Sequence, residues 1–144
     1  MVVIDIITLS DGTVLLDAHQ STDFNDVRDA QRALAEYRLD GFDTVHVAGR
    51  IAGSDVTDEL DALGRVNVRL NIHHLIVVGE SAHGMHRAAE HEGSWDGESI
   101  PVSDTAHAYD EVTSLRGPRV AILVTGGVDV SLGDVVERLK GDRP

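Results

Sequence analysis

The sequence predicts an α/β fold in three layers, with about six strands in one mostly parallel sheet and an antiparallel hairpin strand at the N-terminus. Three observations carry this. Two β-branched runs flank an Asp-Gly pair at the start of the chain; apolar runs then alternate with segments of helical period; and the later apolar runs are continuous, as in strands covered on both faces.

Residues 2–9 and 13–17 flank Ser10-Asp11-Gly12, a hairpin signal, so the chain opens with an antiparallel pair. Phe24, Val27, Ala30, Leu34 and Tyr37 recur at helical spacing behind Ser21-Thr22-Asp23, whose side chains can cap the helix, and Gly41 ends it. Residues 45–49 read as a strand. Ser54 then caps a second helix with an apolar face of Val56, Leu60, Leu63 and Leu70, weakened in its middle by Gly64. The unbroken apolar run 75–79 is expected at the centre of the sheet. Ser81 opens a short helix through Met85 and Ala89 that stops at Gly93, residues 94–98 form a loop, and Ile100-Pro101-Val102 is a strand whose proline places it at an edge. Asp104 or Thr105 caps a helix through Ala108, Val112 and Leu115 that Gly117-Pro118 terminates. Residues 120–124 are another buried strand, and residues 125–131 lead into a last helix carrying Leu132, Val135, Val136 and Leu139. Strands alternating with helices after a hairpin specify a Rossmann-like three-layer sandwich, read here as a single domain over residues 1–144.

Composition narrows the function classes. A chain of 144 residues that is 42% hydrophobic can bury a sizeable core. It contains no apolar run long enough for a membrane span and no basic leader, which predicts a cytoplasmic protein without membrane insertion. The absence of cysteine removes disulfides, thiolate metal sites and cysteine nucleophiles. A formal net charge of −13 repels phosphate backbones and argues against nucleic acid as a partner. The single lysine, Lys140, precedes Gly141-Asp142, so the sequence holds no P-loop.

Ligands of such sheets bind beyond the carboxyl ends of the strands. The rim residues expected to face a nucleotide or substrate are Asp17, His19, Gln20, Arg50, Thr125, Gly126 and Gly127. Asp17 closes a strand and leads into the polar stretch His19-Gln20-Ser21-Thr22-Asp23. Gly126-Gly127 has two readings that the sequence leaves open: backbone N–H groups offered to a phosphate or carboxylate, or a loop that needs positive φ. A phosphorylated receiver domain is disfavoured, because Thr125 stands where its lysine is required and Gly49-Arg50 where an acidic strand end is required. No Gly-x-Ser-x-Gly elbow supports a serine hydrolase. His83, His86 and His91 share one helical segment without a zinc-ligand pattern; no metal site is predicted, and the histidines are expected to be solvated at the surface.

Several segments together resemble the C-terminal domain of Mur ligases, most closely the MurF type. Residues 11–18 look like the family's Asp-Gly-x-x-Val-x-Asn-Asp-Ala-Tyr-Asn-Ala-Asn-Pro entry; residues 68–79 resemble a helix end and strand; residues 85–89 and 92–95 resemble the next helix and loop; and residues 122–126 and 132–136 resemble the closing strand–loop–helix unit. The sequence departs from the pattern at His19 (Tyr), Gln20 (Asn), Thr22 (Asn), Asp23 (Pro), the stretch 50–53 (acidic in the family) and Thr125 (Lys). Asp17 and Ala18 match. The resemblance implies a domain that closes over ATP and helps bind an incoming dipeptide. An N-terminal domain would hold the UDP-sugar, and a central domain the P-loop, ATP and Mg2+. The implied chemistry is phosphorylation of the terminal carboxylate of UDP-MurNAc-tripeptide, followed by attack of the D-alanyl-D-alanine amine. The alternative is a non-catalytic interaction module derived from the same domain.

Overall fold

The computed structural model describes residues 2–53, 56–127 and 129–141. The opening hairpin pairs β1 (Asp5–Thr8) antiparallel with β2 (Val14–Ala18), setting Asp5 opposite Asp17. Helix α1 (Phe24–Leu39) follows, capped by the Asp23 side chain, which accepts from the amides of Asn25 and Asp26. Strand β3 (Asp43–Ala48) leads to α2 (Thr57–Arg69), which has no side-chain cap at Val56. Ser54, the expected cap, lies outside the described residues. Strand β4 (His74–Val78) is followed by a 3-10 turn (Glu80–Ala82) and α3 (His83–His91). Strand β5 (Glu98–Val102), α4 (Thr105–Leu115), β6 (Val120–Thr125) and α5 (Gly133–Gly141) complete the order. Asp104 caps α4 by accepting from the His107 amide at 2.9 Å.

The strands lie in the order β1-β2-β6-β3-β4-β5, and every pairing except β1 with β2 is parallel. Alternate residues of each strand point to opposite faces. Leu15, Val45, Val47, Ile122 and Val124 pack under Val112 of α4 and Val135, Val136 and Leu139 of α5. Leu16, Ala121 and Leu123 pack against Ala30 and Leu34 of α1, while Leu75 and Val77 pack against Leu60 and Leu63 of α2 and Met85 of α3. The layers are therefore two helices, the sheet and three helices. Pro101 sits on the edge strand, as expected. The run 75–79 is not central: β4 lies one strand from that edge, and β6 and β3 take the middle.

Gly64 has a use that helix propensity hides. A Cβ there would lie 2.3 Å from the Met85 carbonyl oxygen and 3.1 Å from the Ala88 Cβ, so its absence lets α2 and α3 approach. Among the described residues no helix is long and apolar enough to cross a membrane.

Strand order also makes the crevice. β2 and β3 hand the chain to α1 and α2 on one face, and β6 between them hands it to α5 on the other. Chains leaving neighbouring strands in opposite directions open a gap at their carboxyl ends.

Candidate functional site

Ala18, Thr125 and Ala48 are level with one another across β2, β6 and β3, so three loops start side by side at the crevice. Backbone bonds lock these loops together. The Gly126 amide donates to Ser21 O at 2.9 Å, the Gly127 amide to Arg50 O at 3.0 Å and the Ala52 amide to Thr22 O at 2.8 Å. Gly126 and Gly127 have φ of 73° and 90°, a region that side chains disfavour. Both amides are committed within the chain, so what this loop uses its glycines for is positive φ rather than an anion cradle.

On the hairpin side the loops leave a cleft of about 300 Å3, lined by Asp5, Asp17, His19, Gln20, Ser21 and Asp26 among others. Asp17 is only 8% exposed; its Oδ1 accepts from the His19 amide at 3.2 Å and meets His19 Nδ1 at 2.5 Å. The short Asp17-Ala18-His19 turn makes this possible, since one carboxylate oxygen can hold both the backbone and the ring two residues on. Gln20 is exposed beside this pair.

The other expected rim residues are placed differently. Arg50 is half-buried outside the cleft, its guanidinium donating to Gly53 O at 3.4 Å. Thr125, expected to face a ligand, is 1% exposed, and its hydroxyl lies 2.7 Å from His46 Nε2 inside the fold. Asp129 accepts a short hydrogen bond from the Ser81 hydroxyl, linking the loops after β6 and β4. The structure thus gathers Asp17, His19 and Gln20 in one cleft, with Gly126, Gly127 and Arg50 in the loops beside it and Thr125 beneath.

Two histidines are buried, and one of them, His86, contradicts the surface expectation for its helical segment. His46 is fully buried, with Nδ1 3.0 Å from Asn67 Oδ1. An amide oxygen only accepts, so Nδ1 carries the proton, Nε2 accepts, and the Thr125 hydroxyl donates. Burial holds the His46 pKa down at about 4, with the Asn67 bond opposing it. The signal for this was faint: His46 interrupts Val45 and Val47 in a strand covered on both faces. His86 is 8% exposed, with Nδ1 2.7 Å from Ser99 Oγ and Nε2 3.1 Å from Glu90, and burial lowers its pKa. Among the described residues no group of three or more His, Cys, Asp or Glu is placed to hold a metal ion.

No family model matches the chain. The UDP-N-acetylmuramoyl-tripeptide–D-alanyl-D-alanine ligase of Mycobacterium leprae is 31% identical to it over 150 residues, covering 94% of the chain and 29% of that relative. The chain is a homologue of the MurF ligases. It spans about three tenths of the length of the curated relatives it matches. Its fold matches MurF from Acinetobacter baumannii, with a TM-score of 0.76 at 18% identity over 96% of the chain and 30% of that structure. MurF from Thermotoga maritima, solved in complex with ADP, gives a TM-score of 0.75 at 11% identity over 94% of the chain and 30% of that structure. The α/β fold is that of a Mur ligase C-terminal domain, and Asp17 stands in its cleft.

Proposed function

We propose that residues 1–144 form the C-terminal domain of a cytoplasmic MurF-type ligase, which joins D-alanyl-D-alanine to UDP-MurNAc-tripeptide with ATP as the driving substrate. The observation that carries this reading is the identity with the Mycobacterium leprae ligase along nearly the whole chain. In that reaction ATP phosphorylates the tripeptide carboxylate, and the dipeptide amine then displaces phosphate to form the peptide bond.

The described residues do not fit the phosphates of ATP. The Gly126 and Gly127 amides are bonded within the chain, Thr125 is buried, and the neighbouring cleft is lined by Asp5, Asp17 and Asp26. The reading therefore assigns the triphosphate and Mg2+ mainly to the central domain of the parent, and gives this chain two other tasks. It closes over the reacting groups, keeping water from an acyl phosphate that water would hydrolyse. It also offers carboxylates to the positively charged amino end of the dipeptide, for which the Asp17 cleft has the right sign and a small enough volume.

In a ligase carrying this chain, Asp17→Ala is expected to lower kcat for D-alanyl-D-alanine addition by about tenfold or more, on the order of 1.4 kcal/mol of transition-state stabilisation. The check is a steady-state phosphate-release assay at saturating substrates. The rival reading, an interaction module that has lost the reaction, draws on the closed, self-bonded loops around Gly126 and Arg50. Unchanged kcat in the Asp17 variant would favour it.

A further inference from the structure

We propose that His19, held by Asp17, is the base that takes the proton from the dipeptide's attacking amino group; the proposal rests on the ligase reading above.

An α-amino group has an ordinary pKa of about 8, so near neutral pH most of it is ammonium, without the lone pair needed for attack. Some group must take that proton, and a histidine oriented by a carboxylate is the usual device. Asp17 Oδ1 meets His19 Nδ1 at 2.5 Å and the His19 amide at 3.2 Å, so the ring's protonated nitrogen faces the carboxylate and its lone pair is on Nε2. Nε2 has no hydrogen bond among the described residues. The ring rests against Gly133 at the start of α5, where an added Cβ would lie 3.2 Å from Nε2. His19 is 30% exposed, open to the cleft, while Asp17 is 8% exposed. This is a fixed orienter behind an accessible base. Asp5 and Asp26 on the same cleft favour a cation over a phosphate, which suits an ammonium group.

The step balances without a further reactant. One N–H bond of the ammonium breaks and its proton passes to Nε2. The freed electron pair forms the C–N bond at the acyl phosphate carbon, the C–O bond breaks with its electrons going to inorganic phosphate, and the second proton that the nitrogen sheds in becoming an amide leaves on that phosphate. The imidazolium then faces the Asp17 carboxylate until water removes the proton.

The test uses a ligase carrying this chain and two nucleophiles at neutral pH, D-alanyl-D-alanine and hydroxylamine. Hydroxylamine is neutral there and attacks acyl phosphates without a base. His19→Gln should lower dipeptide addition by roughly a hundredfold or more, the usual scale of a lost general base, while hydroxamate formation stays within about twofold of wild type. Asp17→Asn should give the same split, because the ring then keeps its place but loses the charged partner that fixes its tautomer. Hydroxamate formation also reports folding and acyl phosphate synthesis in each variant. Equal losses with both nucleophiles, or undiminished dipeptide addition by His19→Gln, would overturn the proposal. If the wild-type ligase forms neither product, the ligase reading fails, and this proposal with it.

Discussion

With Nδ1 committed to the Asn67 oxygen and Nε2 accepting from Thr125, a second proton on His46 would set an N–H against the Thr125 hydroxyl where water does not reach. Folding therefore favours the neutral ring. The folded pKa of about 4 lies below the ordinary 6.5, so the unfolded chain binds the extra proton first as pH falls. The stability tied to His46 is complete above about pH 6.5 and drains away as pH approaches 4, a loss on the order of 3 kcal/mol. The lowered carboxyls of Asp11 and Asp104 release their contributions only below the ordinary 3.8, so the two windows separate. Urea unfolding near pH 7, 5.5 and 4.5 should show the slope in wild type and a flatter one in His46→Gln. A level wild-type profile across that range would mean that His46 is not held neutral. Asp17 and His19 were legible in the sequence because a polar stretch directly after an apolar run marks a strand end. His46 and Thr125 were not, since their bond joins residues 79 apart and neither neighbourhood hints at the other.

At the scale of elements, the contact between α2 and α3 decides what Gly64 is for. Helix propensity alone says that Gly64→Ala should stabilise an α-helix by about 1 kcal/mol. The packing says otherwise, because the new methyl would sit 2.3 Å from a backbone carbonyl oxygen that cannot rotate away. Overpacking of this kind costs roughly 1–3 kcal/mol, and separation of two helices would also loosen the contacts of Leu60, Leu63 and Met85. Gly64→Ala is expected to lower Tm, a change that calorimetry reads directly; a raised Tm would show that the helices yield at no cost. Periodicity placed all five helices in the sequence, and side-chain caps marked the starts of two of them, at Asp23 and Asp104. What periodicity could not show is which residue of a helix another helix touches. A close-approach glycine therefore looks like a defect until its neighbour is known.

At the scale of the molecule, continuous apolar strands and alternating helices made the layered α/β architecture readable, because a parallel sheet must bury both faces. Strand order was not readable. The last strand returns through α4, across the opposite face, and inserts between β2 and β3, with pairings such as Leu15 to Ile122 that leave no local trace. That insertion sets the Asp17 loop beside the Gly126 and Arg50 loops, and with it the acidic cleft. The cleft and the net charge of −13 repel phosphates and welcome an amine, consistent with a domain that serves the nucleophile while other domains hold the nucleotide. The measurement that tests this most directly is mass spectrometry of the UDP-linked product formed from UDP-MurNAc-tripeptide, ATP and D-alanyl-D-alanine. It should be made with a ligase that carries residues 1–144 and with the same ligase lacking them. The account predicts that the tripeptide gains two alanines only when these residues are present; product formed equally well without them, or no product from the intact ligase, would contradict it.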